Sequence, residues 1–453
     1  MRLQILWLVG VVLVGASAIT GAVSPENELV VGSFMQLLLG DENSAEQALE
    51  FIDEEWHPGF VSMSLEAVYL SSSPGRSARL VSLLEAKTEQ QFGFDISAWY
   101  EWLWNQPDVS HPAYGDFKSA LYSRIDPAFG GYFSSDRETE IRLDEIRWGG
   151  VRQDGIPPLR DPRMVSAADA DYLADSDIVF GLVVNGDARA YPKRILAWHE
   201  MFIDEVGDVP VAGVYCTLCG SMILYRTEYD GIDHALGTSG FLYRSNKLMY
   251  DQATQSLWNT LWGKPAVGPL VGRGIELERM SVVTTTWGAW RQRHPETSVL
   301  SLDTGHQRDY SEGAAYREYF ATDELMFNVP TLDRRLKNKD EVLGLLMAGT
   351  ESTPLALASD FLRENSLYHD NVGDREIVIL TDRSGAHRVY EARGVTFADW
   401  DQYASLVDTE GVSWTLDEVR LESAVGRFMN RLPAHRAFWF GWYSAYPHTR
   451  LVY

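Results

Sequence analysis

Two cysteines carry most of the chemistry that this sequence could support. Cys216 and Cys219 stand in the run V-Y-C-T-L-C-G-S-M-I-L and are the only cysteines among 453 residues. A C-x-x-C pair can bind a soft metal ion, exchange electrons as a dithiol and disulfide, or close a small structural loop. The residues around the pair bear differently on these three uses.

The form of the run favours a metal-binding knuckle. In a knuckle, two strands flank the pair, a glycine accepts the tight turn, and both sulfurs point at one ion. Structural zinc needs four ligands, so histidine or methionine must supply the rest. His199 in R-I-L-A-W-H-E is the nearest upstream histidine, while His234 and Met249 are weaker downstream candidates.

Sulfur and imidazole ligands favour copper or zinc over magnesium or calcium. Glu200, next to His199, could orient the imidazole from outside the ligand shell or accept a proton. The first hypothesis is therefore a soft-metal site of Cys216, Cys219 and His199 that serves redox or metal-handling chemistry. The alternative for His199 is a buried structural histidine whose ring donates a hydrogen bond to a backbone carbonyl.

Two other interpretations of the cysteine pair stay open. In a thioredoxin-type site the first cysteine begins a helix, and the N-terminal N–H groups of that helix lower the thiol pKa. Here G-S-M-I-L-Y follows the pair and predicts a strand, which weakens that particular context. A thiol–disulfide redox protein is the second hypothesis, and a non-catalytic interaction protein with a structural disulfide is the third.

Other polar stretches support no standard catalytic motif. The run T-S-G-F-L-Y-R-S-N-K-L-M-Y-D mixes Ser239, Arg244, Ser245, Asn246 and Asp251 with aromatic residues, which suits a pocket or a plain strand–turn–strand. No G-x-S-x-G elbow, Walker loop, dinucleotide fingerprint or H-E-x-x-H occurs. The common hydrolase, nucleotide-binding and zincin functions are therefore unsupported, and no nucleotide is expected.

The charge balance excludes one class of partner. The formal net charge is −25, and Lys and Arg form no basic stripe that could neutralise phosphates. We expect no nucleic-acid partner. The N-terminus combines Arg2, an apolar run over residues 5–14 and small residues near 16–22, which is the layout of a secretory signal over residues 1–23. Residues 5–23 could instead remain as a membrane tether, so the predicted location is extracytoplasmic, either periplasmic or secreted.

A helical region precedes the elements that must position the cysteines. Residues 28–126 show apolar residues three and four apart, and Asp95 is placed to cap a helix carrying Trp99, Trp102 and Trp104. The region weakly resembles HEAT-like helical pairs. An aromatic stripe at helical spacing predicts packing or a surface for a protein partner.

Residues 140–453 change to short β-branched and aromatic runs broken by Gly, Asp and Asn. Asn185-Gly186 has the turn chemistry of a two-residue hairpin. The fold class predicted for the whole chain is α+β, with a small all-α N-terminal domain followed by a β-rich domain.

The β-rich domain contains an internal repeat. Residues 287–297 and 439–449 both fit W-x-x-W-x-x-x-(H/Y)-P-x-T, and G-D-A-R-A-Y at 186–191 resembles G-A-H-R-V-Y at 385–390. These matches predict a duplicated fold with copies at about 176–300 and about 373–453. On this alignment the second copy lacks the block that holds His199 and both cysteines, so the cysteine segment would be an addition to the shared scaffold.

Several motifs in order identify a family resemblance. D-E-I-R-W-G-G-V-R-Q-D-G-I-P-P-L-R-D-P, N-G-D-A-R-A-Y-P-K-R-I-L-A-W-H-E, V-Y-C-T-L-C-G-S-M, G-T-S-G-F-L-Y and F-W-F-G-W-Y-S-A-Y-P resemble DUF3179, a prokaryotic family filed as a domain of unknown function. The resemblance covers about residues 144–451. It implies the domain boundaries and that His199, Cys216 and Cys219 belong to a recurring motif, but it implies no activity. Thr217 stands where the family motif usually has proline, which affects only the expected loop shape.

Overall fold

The computed structural model describes residues 24–347 and 353–453. The predicted signal or tether at 1–23 lies outside the described residues. Helices occupy residues 25–122, as the sequence predicted, and their bounds are α1 (Pro25–Leu39), α2 (Glu42–Glu54), α3 (Phe60–Leu70), α4 (Pro74–Thr88), α5 (Ile96–Trp104) and α6 (Tyr114–Tyr122). Within the described part of the chain, no helix is both long enough and apolar enough to cross a bilayer.

Capping residues decide where these helices begin. The Asp95 carboxylate accepts a hydrogen bond from the Ala98 N–H at 3.0 Å, which confirms the predicted cap of α5. Trp99 and Trp104 on this helix are buried beside Leu65 and Leu84. These two members of the aromatic stripe therefore belong to the core of the helical region.

The rest of the described chain is strand-rich and contains two units, a first unit at 178–300 and a second unit at 341–452. Three short strands precede them: β1 (Ile146–Trp148), β2 (Leu159–Arg160) and β3 (Met164–Ser166). The first unit contains β4 (Ile178–Val184), β5 (Asp187–Pro192), α7 (Lys193–His199), β6 (Met201–Val206), β7 (Val209–Cys216), β8 (Ser221–Arg226), β9 (Glu228–Tyr229), β10 (Ile232–Asp233), β11 (Leu236–Tyr243), β12 (Asn246–Asp251), β13 (Leu257–Asn259), β14 (Lys264–Val267), β15 (Arg279–Met280), β16 (Val283–Thr286), α8 (Trp287–Arg293) and β17 (Ser298–Leu300).

A connecting segment, residues 301–340, joins the units and contains one short helix, α9 (Arg317–Phe320). The second unit contains β18 (Glu341–Leu345), β19 (Leu355–Ala358), α10 (Ser359–Glu364), β20 (Leu367–Val372), β21 (Arg375–Thr381), β22 (His387–Glu391), β23 (Phe397–Trp400), β24 (Ser405–Asp408), β25 (Ser413–Leu416), β26 (Arg420–Ser423), β27 (Phe428–Leu432), β28 (Ala434–Phe438), α11 (Trp439–Ala445) and β29 (Arg450–Val452). The α+β class is thus as predicted.

The first unit builds its main sheets from mixed pairings. Their strand orders are β16-β4-β5-β17-β3 and β15-β8-β7-β6-β2, and a third sheet runs β1-β11-β12-β13-β14. β4 and β5 form the hairpin predicted at Asn185-Gly186, where both residues have positive φ, as a type I′ turn requires. The second unit has the orders β28-β18-β19-β29 and β20-β21-β22-β27-β26-β25-β24-β23.

The two units repeat one arrangement of strands and helices. β17 runs parallel to β5 in the first sheet, and β29 runs parallel to β19 in its counterpart. The tryptophan motif occupies the same place in both, because Trp290 donates to Thr297 Oγ1 at 2.9 Å and Trp442 donates to Thr449 Oγ1 at 3.0 Å. The shared W-x-x-W-x-x-x-(H/Y)-P-x-T pattern therefore marks equivalent helices, α8 and α11.

The predicted alignment of the remaining repeat is wrong. α7, β6 and β7 correspond to α10, β20 and β21, with Gly207-Asp208 and Gly373-Asp374 as matching turns, so the second unit begins near 341 and not near 373. Each hairpin strand starts directly after its turn, and Cys216 and Asp382 are both eighth from that start. The second unit thus keeps the hairpin that the sequence comparison treated as missing, with Asp382 in place of Cys216. The short G-x-x-R-x-Y match failed because it paired a turn before β5 with a turn before β22.

Candidate functional site

The cysteines lie at the turn of the β7–β8 hairpin. Cys216 is the last residue of β7 and pairs with Ser221, the first residue of β8, so residues 217–220 form the turn. Gly220 has φ +59, and a Cβ there would lie 2.9 Å from the ring of Phe438. Glycine is therefore required both by the backbone conformation and by the close approach of the second unit.

The turn is held against the second unit and under the connecting segment. The Phe438 N–H donates to the Cys219 carbonyl oxygen at 2.7 Å, and a Cβ on Gly441 would lie 3.2 Å from Cys219 Sγ. From the connecting segment, the Tyr319 hydroxyl donates to the Leu218 carbonyl oxygen at 2.7 Å. Cys216 and Cys219 are consequently only 2% and 0% exposed.

Both cysteines are free thiols that pack in an apolar cluster with Leu242 and Phe438, and polar groups also contact them. The Cys219 thiol donates to the Ser245 carbonyl oxygen at 3.3 Å, and Asn246 Nδ2 donates to the Cys219 sulfur at 3.3 Å. Several buried side-chain oxygens near them have no hydrogen-bond partner: Tyr215 Oη, Thr217 Oγ1, Ser221 Oγ, Ser245 Oγ and Asn246 Oδ1. The turn therefore sits in a buried cluster with unused hydrogen-bonding capacity.

The two thiols have opposite acidities. Burial opposes ionisation of Cys216, but hydrogen bonds from the Cys219 side chain and from the backbone N–H groups of Lys247 and Cys219 bring its pKa below that of a free thiol. Burial, followed by the interaction with Cys216, holds the pKa of Cys219 well above its usual range. The first cysteine is thus the more acidic thiol of the pair, without any helix N-terminus at the site.

A buried charge pair lies beside Cys216. Lys247 Nζ donates to the Glu200 carbonyl oxygen at 2.6 Å and lies 3.6 Å from the Glu200 carboxylate. Burial lowers the pKa of Lys247, while Glu200 and the Cys216 thiolate act to raise it. Tyr316 from the connecting segment donates to Glu200 Oε1 at 3.3 Å. Lys247 thus interacts with both Glu200 and Cys216 and links the carboxylate to the thiol.

His199 faces a different environment. Its Nδ1 lies 2.9 Å from the Pro157 carbonyl oxygen and its Nε2 lies 2.6 Å from the Tyr310 hydroxyl, beside the ring of His306. Burial lowers the pKa of His199 to about 4. Both ring nitrogens are engaged, so the structure does not bring His199 to the cysteines in the way that a three-ligand site requires.

The other predicted ligands also have separate partners. His234 Nδ1 pairs with Asp251 Oδ2 at 3.1 Å, and Met249 packs in the core beside Val214 and Trp258. In the part of the chain that the structure describes, no group of three or more His, Cys, Asp or Glu side chains could hold a metal ion. Copper or zinc binding therefore stays a prediction that rests on the two thiols.

The buried His199 yields a testable pH dependence. In the unfolded chain His199 binds a proton near pH 6.5, whereas in the folded protein it does so near pH 4. The stability that neutral His199 allows is therefore fully present above pH 6.5 and falls as the pH drops toward 4. Allowing for solvent screening, His199→Gln should remove about 2 kcal/mol of this fall between pH 7 and pH 4. Urea unfolding at both pH values measures the difference, with the exposed His448, replaced in His448→Gln, as the control. An identical pH dependence in wild type and His199→Gln would contradict the assignment.

Sequence reasoning anticipated part of this site. It placed Ser245 and Asn246 in a stretch that could line a pocket, and the turn between β11 and β12 carries them to the cysteines. It missed Lys247, because one lysine in a strand carries no signal that it will be buried. It also missed the connecting segment, whose Tyr316 and Tyr319 come from a stretch with almost no regular secondary structure.

The helical region offers a pocket of its own. About 290 Å³ of space is enclosed there, and Trp56, Pro58, Trp102 and Pro107 contribute to its wall. Trp102, the half-buried member of the predicted aromatic stripe, thus faces a cavity. A protein partner at the helical region stays a prediction.

Comparison with known proteins identifies a family but no activity. The model of the family described as "Protein of unknown function (DUF3179)" matches residues 153–449. No curated protein and no solved structure matches the chain.

Proposed function

Since the chain belongs to the DUF3179 family, whose description names no activity, we propose from the geometry of the site that Cys216 and Cys219 form a thiol–disulfide redox centre. One observation carries the proposal: the fold brings the chain's only two thiols to the ends of one hairpin turn, where both are free and buried. The opposite shifts of their pKa values support it, because exchange needs one thiolate and one protonated partner.

The exchange proceeds in two steps with a disulfide on a second molecule as oxidant. The Cys216 thiolate attacks one substrate sulfur, the substrate S–S bond breaks, and the released thiolate takes a proton. Cys219 then loses its proton and attacks Cys216 Sγ, which releases the second substrate thiol. The centre ends as a disulfide, and two electrons have reduced the substrate disulfide to two thiols. The reverse sequence oxidises a substrate dithiol.

The neighbouring residues suit these steps. Hydrogen bonds from the Lys247 and Cys219 backbones hold negative charge on Cys216, and Lys247, whose pKa burial lowers, is an amine close enough to Cys216 to interact with its charge and exchange a proton. Substrate access requires movement of the connecting segment, because Tyr319 closes over Leu218. An extracytoplasmic location, predicted from residues 1–23, would supply an oxidising compartment.

A second candidate function is binding of copper(I). Its specific support is the burial of both sulfurs, because a protein disulfide is too bulky to reach them without movement of the segment that covers them, whereas a single ion is small. Thiolates favour copper(I), and two of them can hold this ion in a linear arrangement without His199. This retains the soft-metal hypothesis with a smaller ligand set.

Alkylation with iodoacetamide as a function of pH tests the redox proposal. In Cys219→Ser, where the new hydroxyl can still donate to Cys216, the remaining thiol should react with a midpoint below the usual value of about 8.5. Cys219→Ala removes that donor and should raise the midpoint. In Cys216→Ser, Cys219 should stay unreactive until well above pH 9.

Equilibration of the purified protein in glutathione buffers provides the decisive readout. The wild type should interconvert between two free thiols and none, with a defined reduction potential, while both serine variants keep one thiol throughout. Elemental analysis of protein prepared without chelators separates the second candidate. One equivalent of copper that disappears in Cys216→Ser, together with no reversible disulfide, would replace the redox proposal with metal binding. A protein that forms no reversible disulfide and binds no copper would contradict both proposals.

A further inference from the structure

The second unit has a pocket at the counterpart of the cysteine turn. Residues 382–386 connect β21 to β22 just as residues 217–220 connect β7 to β8. About 380 Å³ of space lies over this turn, and its wall includes Arg363, Ser366, Arg383, Ser384 and Gln402. In the first unit Tyr316 and Tyr319 of the connecting segment lie over the equivalent place.

Asp382 organises the turn and does not repel an anion from it. Its Oδ1 accepts the N–H groups of Ser384 and Ala386 at 2.9 and 3.1 Å, and also the Ser384 hydroxyl at 2.5 Å. Its Oδ2 accepts a hydrogen bond from Arg388 Nη1 at 2.8 Å. The carboxylate is therefore neutralised within the protein, and it holds the turn in one shape.

The cationic groups at this pocket are only partly neutralised. Arg383 donates to the Asp401 carbonyl oxygen at 3.1 Å, and among the ion pairs of the described residues it has none. Arg363 pairs with Asp360, which is 91% exposed, and lies 3.9 Å from Glu341. Arg383 is also close enough to the Asp401 carboxylate to interact with its charge. In a chain of net charge −25, a pocket with two guanidinium groups in its wall is nevertheless a local exception.

A buried histidine lies behind one residue of the pocket wall. Thr381 lines the pocket, and its Oγ1 lies 2.9 Å from Nδ1 of His387. His387 is 5% exposed, and its Nε2 has no hydrogen-bond partner. Arg436 completes the surroundings by donating to the Gly385 carbonyl oxygen and lying 3.3 Å from Glu341.

We propose that this pocket of the second unit binds a small oxyanion or carboxylate through Arg363 and Arg383. Guanidinium groups present paired N–H donors that match the oxygens of either ligand class. The Ser366 hydroxyl and the Gln402 amide line the same space and can complete the hydrogen bonding, whereas the Ser384 hydroxyl already donates to Asp382. The inference is independent of the thiol chemistry, since none of these residues contacts the cysteine turn.

Titration with inorganic phosphate and, separately, with malonate tests the proposal. The Trp400 indole donates to the Thr381 carbonyl oxygen at 3.2 Å, so tryptophan fluorescence offers a local readout beside calorimetry. We expect saturable binding of at least one of the two anions, weakened at least tenfold in Arg383→Gln and further in Arg363→Gln/Arg383→Gln. The preferred anion identifies the ligand class.

Arg420→Gln is the matched control, because it removes one arginine from an exposed position on β26 of the same unit. Binding should be unchanged in this variant, whereas a general charge effect would weaken it equally. Arg383 is exposed and forms no ion pair within the described part of the chain, so its replacement should leave the unfolding transition close to that of the wild type. Absence of saturable binding of both anions, or equal binding by wild type and Arg383→Gln, would overturn the proposal.

Discussion

Replacing Lys247 with Met is expected to lower the free energy of unfolding by about 3–5 kcal/mol. The Lys247 ammonium is buried, donates to the Glu200 carbonyl oxygen and lies 3.6 Å from the Glu200 carboxylate. Without it, a buried carboxylate loses its only cation among the ion pairs of the described residues. Urea unfolding at pH 7 measures the loss.

The same substitution should also slow alkylation of Cys216. With Lys247 gone, no cation balances the negative charge of Glu200, and this charge disfavours the Cys216 thiolate. The pKa of Cys216 therefore rises. A higher pKa reduces the thiolate fraction of Cys216, and hence its alkylation rate near neutral pH. The Cys219→Ser background isolates this thiol for the measurement.

The double variant Glu200→Gln/Lys247→Met is the control for the stability effect. Because it removes both charges, it should recover most of the stability that Lys247→Met loses, and the Cys216 rate should rise with it. A loss below about 1 kcal/mol in Lys247→Met would mean that the buried pair is not energetically coupled as described. An unchanged alkylation profile would show that Lys247 does not affect the reactivity of Cys216.

Gly344→Ala and Gly181→Ala should each destabilise the protein by about 3 kcal/mol or more. A Cβ at Gly344 would lie 2.0 Å from Cζ3 of Trp442, and one at Gly181 would lie 2.3 Å from Cε3 of Trp290. Neither indole can retreat easily, because each is buried and its Nε1 is bonded to a threonine hydroxyl. Similar losses in both variants would also reflect the equivalence of the two units.

Gly32→Ala provides the contrast. Gly32 lies inside α1, and a Cβ there meets nothing within 4 Å, so alanine should stabilise the helix by up to about 1 kcal/mol. Thermal unfolding of the three variants gives the comparison. A small effect of Gly344→Ala would show that the sheet and α11 can separate without cost, contrary to their close packing.

The repeat shows how much of the structural alignment short sequence motifs can predict. The tryptophan motif lies on α8 and α11, where its residues make the same buried Trp–Thr contact in both units. The G-x-x-R-x-Y match misaligned the rest, because turns with similar composition recur in strand-rich proteins and differ in which strands they join. Only the strand pairing shows that Asp382 replaces Cys216 in a retained hairpin.

By itself, the sequence determined the α+β class, the helical region, the α5 cap, the Asn185-Gly186 hairpin, the family and the turn that holds Cys216 and Cys219. These follow from local rules, since capping, turn chemistry and periodicity act over a few residues. The tertiary structure alone decided that His199 turns to Pro157 and Tyr310, while Lys247 reaches the cysteines. Neighbours across strands and units are chosen by sheet register and packing, and those depend on contacts between residues far apart in the chain.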